Sequence, residues 1–344
     1  MLRTSGAFRH HADTRSKMEM FSQALLHLSL LSPQAMSSAI TEVLERKPCN
    51  IAVNRNPQHD LHLVEFDIPE PGPKECLVQV PATGICGSDV HFWKRGKIGD
   101  MVVVGENNMG HGSAGVVVKA RSEATRFKPG RPLKRISVVA LTPIDRRSHC
   151  PRVRRSCSLP ICYFYRTGRY NACPDVKFLS TPTLDGTLRI YHVHPEAWLH
   201  ALPDNPPYEE GCLLESLSFA LTGAERSSLR LSTSLAICGA GPIGPIALLA
   251  AHAASAAPAI IADLDKNRLE EPKKLVPLVR TLRVNKADDT KTLGQRIVDK
   301  LGKETELALE CSGVESNIQA GMYVSRLSII DRAPLVQAAG SEIR

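Results

Sequence analysis

The stretch Ile237-Cys238-Gly239-Ala240-Gly241-Pro242-Ile243-Gly244 restricts the fold of this chain more than any other. It is an apolar strand running into Gly-x-Gly-x-x-Gly, followed by a helical pattern and a second apolar strand, Ile260-Ile261-Ala262, that ends in Asp263. The acid follows the last glycine by 19 residues, about where a dinucleotide-binding unit carries one. Gly239 permits the tight turn, Gly241 lets backbone approach a pyrophosphate, and Gly244 lets helix and strand pack closely. The helix N-terminus then offers free N–H groups to the anion. Asp263 can accept from a ribose 2′-OH and would repel a 2′-phosphate, which favours NAD over NADP. A glycine triplet alone is weak; this one has its strand, helix, strand and acid.

The 344 residues exceed one ordinary core, so two domains are expected. An apolar fraction of 43% with 23% charged residues belongs to a soluble globular protein. The net charge of +8 comes largely from the N-terminal arm and residues 126–155. No basic stripe interleaved with aromatics appears elsewhere, so no nucleic-acid partner is expected. Ten cysteines without a convincing signal peptide point to thiols or metal ligands rather than a disulfide framework. No segment reaches the ~18–20 apolar residues of a membrane span, and a cytoplasmic protein is expected. Residues 1–46 read as an extension without a fold of their own. Their Arg, His and Ser resemble a transit peptide, but Asp13, Glu19 and His27 interrupt it, and translation from an upstream start, with Met36 as initiator, is the plainer reading.

The front half is β-rich: Glu75–Cys86 and Ser113–Val118 hold Val and Ile with glycine at their ends. From about Leu231 strands alternate with helices. Ser234–Cys238, Ala259–Asp263 and Glu306–Cys311 are expected strands, and Pro242–Ala254, Asn267–Val276 and Asp289–Leu301 expected helices, which implies a parallel sheet with crossovers. Two features sit badly in this plan. Pro272 falls inside the second helix, where a proline costs about 3 kcal/mol. After Val324 only Leu335–Ala339 offers a further strand, so the sheet is expected to be incomplete.

The chemistry of the front half lies in three separate segments. Cys86 stands in a glycine-flanked turn, Gly84-Ile85-Cys86-Gly87-Ser88-Asp89-Val90-His91; His111 stands between Gly110 and Gly112; Glu215 follows in Leu214-Glu215-Ser216. A thiolate, an imidazole and a carboxylate can hold a catalytic zinc with one position open. Spacing alone leaves a buried structural Cys86 as the plainer alternative. A second group, Cys157, Cys162 and Cys173, can anchor a structural zinc, although such sites almost always have four ligands and only Cys150 lies nearby.

Together these segments resemble the zinc-dependent medium-chain dehydrogenases, in their polyol branch, and within it the fungal L-arabinitol 4-dehydrogenases, near relatives of xylitol and sorbitol dehydrogenases. The resemblance runs from about Lys47 through Lys128, resumes near Cys157 and fades near Val324. Its most specific runs are 82–93, 166–175, Leu202-Pro203-Asp204-Asn205 and 310–316. It implies a GroES-like catalytic domain over residues 47–230 and a Rossmann NAD-binding domain, incomplete at its end, over 231–344. It also implies oxidation of a polyol's secondary alcohol to a ketose with hydride transfer to NAD, zinc acting as Lewis acid. Cys86 and His111 match zinc ligands, Glu215 a carboxylate of the metal site, and Ser88 and His91 the polar, proton-relaying shell near substrate. Gly239, Gly241, Pro242, Ile243, Gly244, Asp263 and Arg268 are the expected cofactor-binding residues. The resemblance further implies a homotetramer, though the missing C-terminal part leaves assembly of this chain in question.

Departures from the family carry equal weight. The polyol branch has a glutamate ligand directly after the histidine, where this chain has Gly112, which cannot coordinate through a side chain; a Cys86–His111–Glu215 site, with Glu215 moving in, is the rescue hypothesis. Cys157, Cys162 and Cys173 match three of four structural-zinc cysteines, and Tyr165 replaces the fourth, so that site is damaged. Between Arg131 and Ser156 the family pattern is replaced by an aberrant Arg-rich insert. The readings are therefore an L-arabinitol, or else xylitol or sorbitol, dehydrogenase; an inactive, degenerate copy; or a dinucleotide-binding protein without catalysis.

Overall fold

The computed structural model describes residues 47–127, 138–141, 178–182, 184–202, 207–325 and 330–332. Its first part is antiparallel. Strands β1 (Asn50–Arg55) and β2 (Leu61–Phe66) pair along their whole length, with β6 (Asn107–Asn108) on the other side of β1. A small hairpin of β4 (Lys97–Ile98) and β5 (Met101–Val102) lies between them in sequence. The larger sheet contains β3 (Glu75–Gly84), β7 (Gly112–Ala120), β8 (Val138–Leu141), β9 (Tyr191–Pro195) and β10 (Leu199–Ala201), in the order β10-β8-β7-β3-β9. Cys76, Val78, Val80, Val117, Phe127 and Leu199 form its core, the apolar positions that alternate along β3.

β8 modifies the expectation of an aberrant insert over 131–156. Val138-Val139-Ala140-Leu141 pairs antiparallel with both β7 and β10, and four consecutive apolar residues, two of them β-branched, are a sequence suited to a strand whatever flanks them. The rest of that segment, and Cys157, Cys162, Tyr165 and Cys173, lie outside the described residues.

The second part is a parallel sheet. Strands β11 (Leu235–Cys238), β12 (Ala259–Asp263), β13 (Arg280–Arg283), β14 (Leu307–Glu310) and β15 (Ile330–Arg332) take the order β13-β12-β11-β14-β15. This is the doubly wound arrangement, with its switch point beside β11 where successive strands turn to opposite sides. Both faces are covered, as a parallel sheet requires. Leu235 and Ile237 pack with Ile261, Leu307 and Leu309 under Ala247, Leu248 and Ala251 of the helix Ile243–Ala253. Ala236, between them in sequence, faces the other side with Ile260, Ala262 and Ala308. There the helices Thr290–Leu301 and Glu315–Val324 contribute Leu293, Ile297, Leu301, Ala320 and Val324.

Two expectations are corrected here. Pro272 is not in a helix interior: a 3-10 turn over Asn267–Leu269 precedes the helix Glu270–Leu275. That break places the proline in a first turn, where its missing N–H has no helical partner to lose. The other is the place of a strand after Val324: β15 lies at Ile330–Arg332 and pairs in parallel with β14. The expected strand at Leu335–Ala339 lies outside the described residues.

Candidate active site and nucleotide site

The antiparallel register of β3 and β7 builds the first site. Their last pair is Gly84↔Gly112, so the residues beyond one strand end and before the other strand's start stand side by side. Those residues are Cys86 and His111. The chain turns at Cys86 into the helix Gly87–Arg95, where Asp89 accepts from the Cys86 backbone N–H at 3.0 Å and closes a capping box. The segment Gly211–Cys212 seats against both strand ends: the Cys212 carbonyl lies 3.2 Å from where a Cβ on Gly112 would be, and 3.8 Å from one on Gly84. The helix Leu214–Arg226 begins directly after it and carries Glu215 in its first turn.

The Asp89 carboxylate is fully buried. Oδ1 accepts from Ser180 Oγ at 2.6 Å and from the Gly110 N–H at 3.2 Å. Oδ2 faces His111 Nδ1 at 3.7 Å. Burial works against this charge, but His111, Ser180 and the Cys86 N–H outweigh it and hold the carboxyl below its usual range. Burial likewise disfavours a charged His111, yet Asp89 and the Cys86 thiol push it up to about 10. Burial would raise Cys86, whereas His111 and Ser88 bring the thiol below its ordinary value. Buried Glu215 is raised, an effect that His111 partly opposes. A thiol and a carboxyl that are both held toward their charged forms beside His111 suit a cation.

The fit to zinc is therefore specific in two donors. A thiolate and an imidazole suit zinc, and a carboxylate behind the distal ring nitrogen orients a metal-bound histidine. Glu215 is within electrostatic reach of His111. Among the described residues, however, no three His, Cys, Asp or Glu side chains converge as a ready-made metal cage. Ser88 lies against the Cys86 sulfur. His91, one helical turn on, keeps a buried Nε2 without a protein partner. Asp89 had escaped the reading of the sequence; its spacing from Cys86, an acid at the third helical position, is the signal that finds it.

The second site lies at the C-terminal end of the parallel sheet. Gly239 has φ of 105°, a left-handed conformation suited to glycine, and a Cβ at Gly244 would drive into the Gly239 carbonyl oxygen. A Cβ at Gly241, by contrast, would meet no protein atom within 4 Å: the backbone there borders open space, the cradle a pyrophosphate needs. Pro242 and Ile243 start the helix beyond it. Asp263 accepts from the Ala240 N–H at 2.7 Å through Oδ2 and from the Asp265 N–H at 2.8 Å through Oδ1. Arg268 is exposed on the 3-10 turn that follows. Across the switch point, Glu310 accepts from the backbone N–H groups of Ser312 at 2.7 Å and Gly313 at 2.9 Å. That fixes a turn whose Ser312 packs against Gly239. Sequence reading had not assigned this role to Glu310.

A β-rich part with a Cys–His pair, joined in one chain to a doubly wound nucleotide-binding sheet, defines the architecture of a medium-chain dehydrogenase. The alcohol dehydrogenase GroES-like domain model matches residues 72–204. The chain is 41% identical over 302 residues to L-arabinitol 4-dehydrogenase of Aspergillus oryzae, covering 83% of this chain and 74% of the relative. It is 35% identical over 307 residues to sorbitol dehydrogenase of Bos taurus, covering 86% and 81%. Galactitol-1-phosphate dehydrogenase from Escherichia coli shares the fold at a TM-score of 0.67, with 22% identity over 80% of this chain and 72% of that one. The chain belongs to the zinc-type medium-chain polyol dehydrogenases. It is an oxidoreductase of a zinc- and nicotinamide-dependent family that acts on small molecules. No helix among the described residues is long and apolar enough to cross a membrane.

Proposed function

We propose that this chain oxidises a secondary alcohol of a polyol to the ketone with NAD as hydride acceptor, L-arabinitol to L-xylulose being the preferred reaction. The observation that carries the reading is the Cys86–His111 contact, backed by buried Asp89. Cys86, His111 and Glu215 would hold zinc, which, when bound, polarises the alcohol oxygen as a Lewis acid. Glu215 reaches the centre by a side-chain movement from its helix, in place of the donor that Gly112 lacks. Asp89 holds the His111 ring. Ser88 and His91 border the alcohol, where the buried, unpartnered Nε2 of His91 is available to take the proton that leaves the hydroxyl.

Gly239, Gly241, Pro242, Ile243 and Gly244 would carry the pyrophosphate, with the helix N-terminus turned to its charge. Asp263 retains acceptor capacity for a ribose hydroxyl beside its two backbone bonds, and its charge opposes a 2′-phosphate, which selects NAD. Arg268, on the turn beyond Asp263, would lie over the adenosine end. L-arabinitol is favoured over sorbitol by the greater likeness to the fungal enzymes.

A second reading, a nucleotide-binding protein without turnover, is favoured by Gly112, which offers no side-chain donor beside His111, and by the lack of a preformed three-donor cage among the described residues. Zinc content of Glu215→Ala separates the readings: loss of zinc relative to the wild type is expected, and unchanged zinc rules out Glu215 as a ligand.

A further inference from the structure

We propose that Ser180 is a positioning residue for the metal-binding histidine, acting through Asp89; the inference rests on the Cys86–His111 zinc site proposed above. Ser180 is buried, at 3% exposure, and has φ of 63°, a left-handed conformation in which a side chain is strained and glycine is the default. Such an outlier persists when its surroundings over-determine it, and here they do. The fully buried Arg55 donates from Nη2 to the Ser180 carbonyl at 2.5 Å and from Nε to Asn107 Oδ1 at 3.0 Å. Its guanidinium also stacks 4.7 Å from the Phe92 ring centroid. Asn107 in turn donates to the Thr181 carbonyl at 2.8 Å. The backbone of the loop is therefore held without help from the Ser180 hydroxyl.

That hydroxyl has one recorded partner, Asp89 Oδ1 at 2.6 Å. It is the shortest of the bonds that orient the carboxylate; the other on the same oxygen, from the Gly110 N–H, is 3.2 Å. Removing it leaves Oδ1 with the one longer bond and Oδ2 with that from the Cys86 N–H, so the carboxylate is held less tightly against rotation. His111 Nδ1, facing Oδ2, then loses its fixed orientation. A histidine that presents Nε2 to a metal depends on such a partner behind Nδ1, and loss of outer partners typically weakens metal binding 10–100-fold. Ser180 thus ties a strained loop from a distant part of the chain to the orientation of the ligand.

The test is the zinc affinity of the metal-free, full-length chain, measured by competition with a chromophoric chelator, for the wild type, Ser180→Gly, Ser180→Ala and Cys86→Ala, with the Tm of each metal-free protein. Glycine removes hydroxyl and strain together, whereas alanine removes the hydroxyl and keeps the strain. Both variants should bind zinc about tenfold or more weakly than the wild type, with Ser180→Gly melting no lower than Ser180→Ala. Wild-type affinity in both variants, or a loss confined to Ser180→Ala and following its Tm, overturns the role of the hydroxyl. Equal affinities of the wild type and Cys86→Ala overturn the site itself, and the Ser180 proposal with it.

Discussion

Asp89 and His111 face each other at 3.7 Å, Oδ2 to Nδ1, with the carboxylate side chain only 1% exposed and the imidazole 14%. One comes from the first turn of a helix and the other from the start of a strand, and the Gly84↔Gly112 register brings them together. The pair makes the metal-free protein sensitive to pH in a defined direction. His111 rises from 6.5 to about 10 on folding, so its contribution is fully present below pH 6.5 and is lost as pH rises through about 10. Asp89 is depressed, so its contribution is present above its unfolded value of 3.8 and lost as pH falls below it. Asp89→Asn should therefore cost about 2 kcal/mol near pH 6 and much less above pH 10. Urea unfolding of both metal-free proteins across that range measures the difference; a gap that stays constant with pH would show that the ion pair has no part in it.

Gly112, directly after His111, is the position at which a donor can be restored. A Cβ there would stand 3.2 Å from the Cys212 backbone carbonyl, so that segment must shift by a few tenths of an ångström. Gly112→Glu should raise zinc affinity about tenfold or more by adding a carboxylate beside His111, at a stability cost of about 1 kcal/mol. Titration with zinc and a thermal melt give both numbers.

The nucleotide turn responds to two substitutions in different ways. Gly244→Ala places a methyl against the Gly239 carbonyl and should cost about 1–3 kcal/mol by overpacking, with loss of NADH binding. Asp263→Asn keeps an acceptor for the Ala240 N–H while removing the charge, so Tm should change little. Discrimination between NADH and NADPH, read from fluorescence titrations, should fall about tenfold, in keeping with loss of a charge-assisted bond and of repulsion toward a 2′-phosphate.

The nucleotide-binding half was the more legible in the sequence because its signals are local. The strands at Leu235, Ala259 and Leu307 are short, mostly apolar runs: the second has its expected bounds, the first starts one residue later, and the third is one residue shorter at each end. β13 escaped notice: Arg280-Thr281-Leu282-Arg283 is an edge strand with one buried residue, and that pattern does not stand out from a loop. The helix Glu315–Val324 was missed as well, since its buried Ala320, Gly321 and Val324 make no obvious apolar stripe. In the front half Cys86, His111 and Glu215 were legible only as residue types. That the first two touch follows from strand register, that Asp89 stands behind them follows from the helix start at Cys86, and that Ser180 reaches Asp89 depends on a left-handed turn at Ser180. No sequence period encodes that turn.

The most direct test of the account is the zinc content of the purified chain together with NADH formation on addition of L-arabinitol. The account predicts bound zinc that is lost in Cys86→Ala, and turnover with NAD that exceeds turnover with NADP. A chain that binds NADH but holds no zinc and oxidises neither L-arabinitol, xylitol nor sorbitol would contradict it.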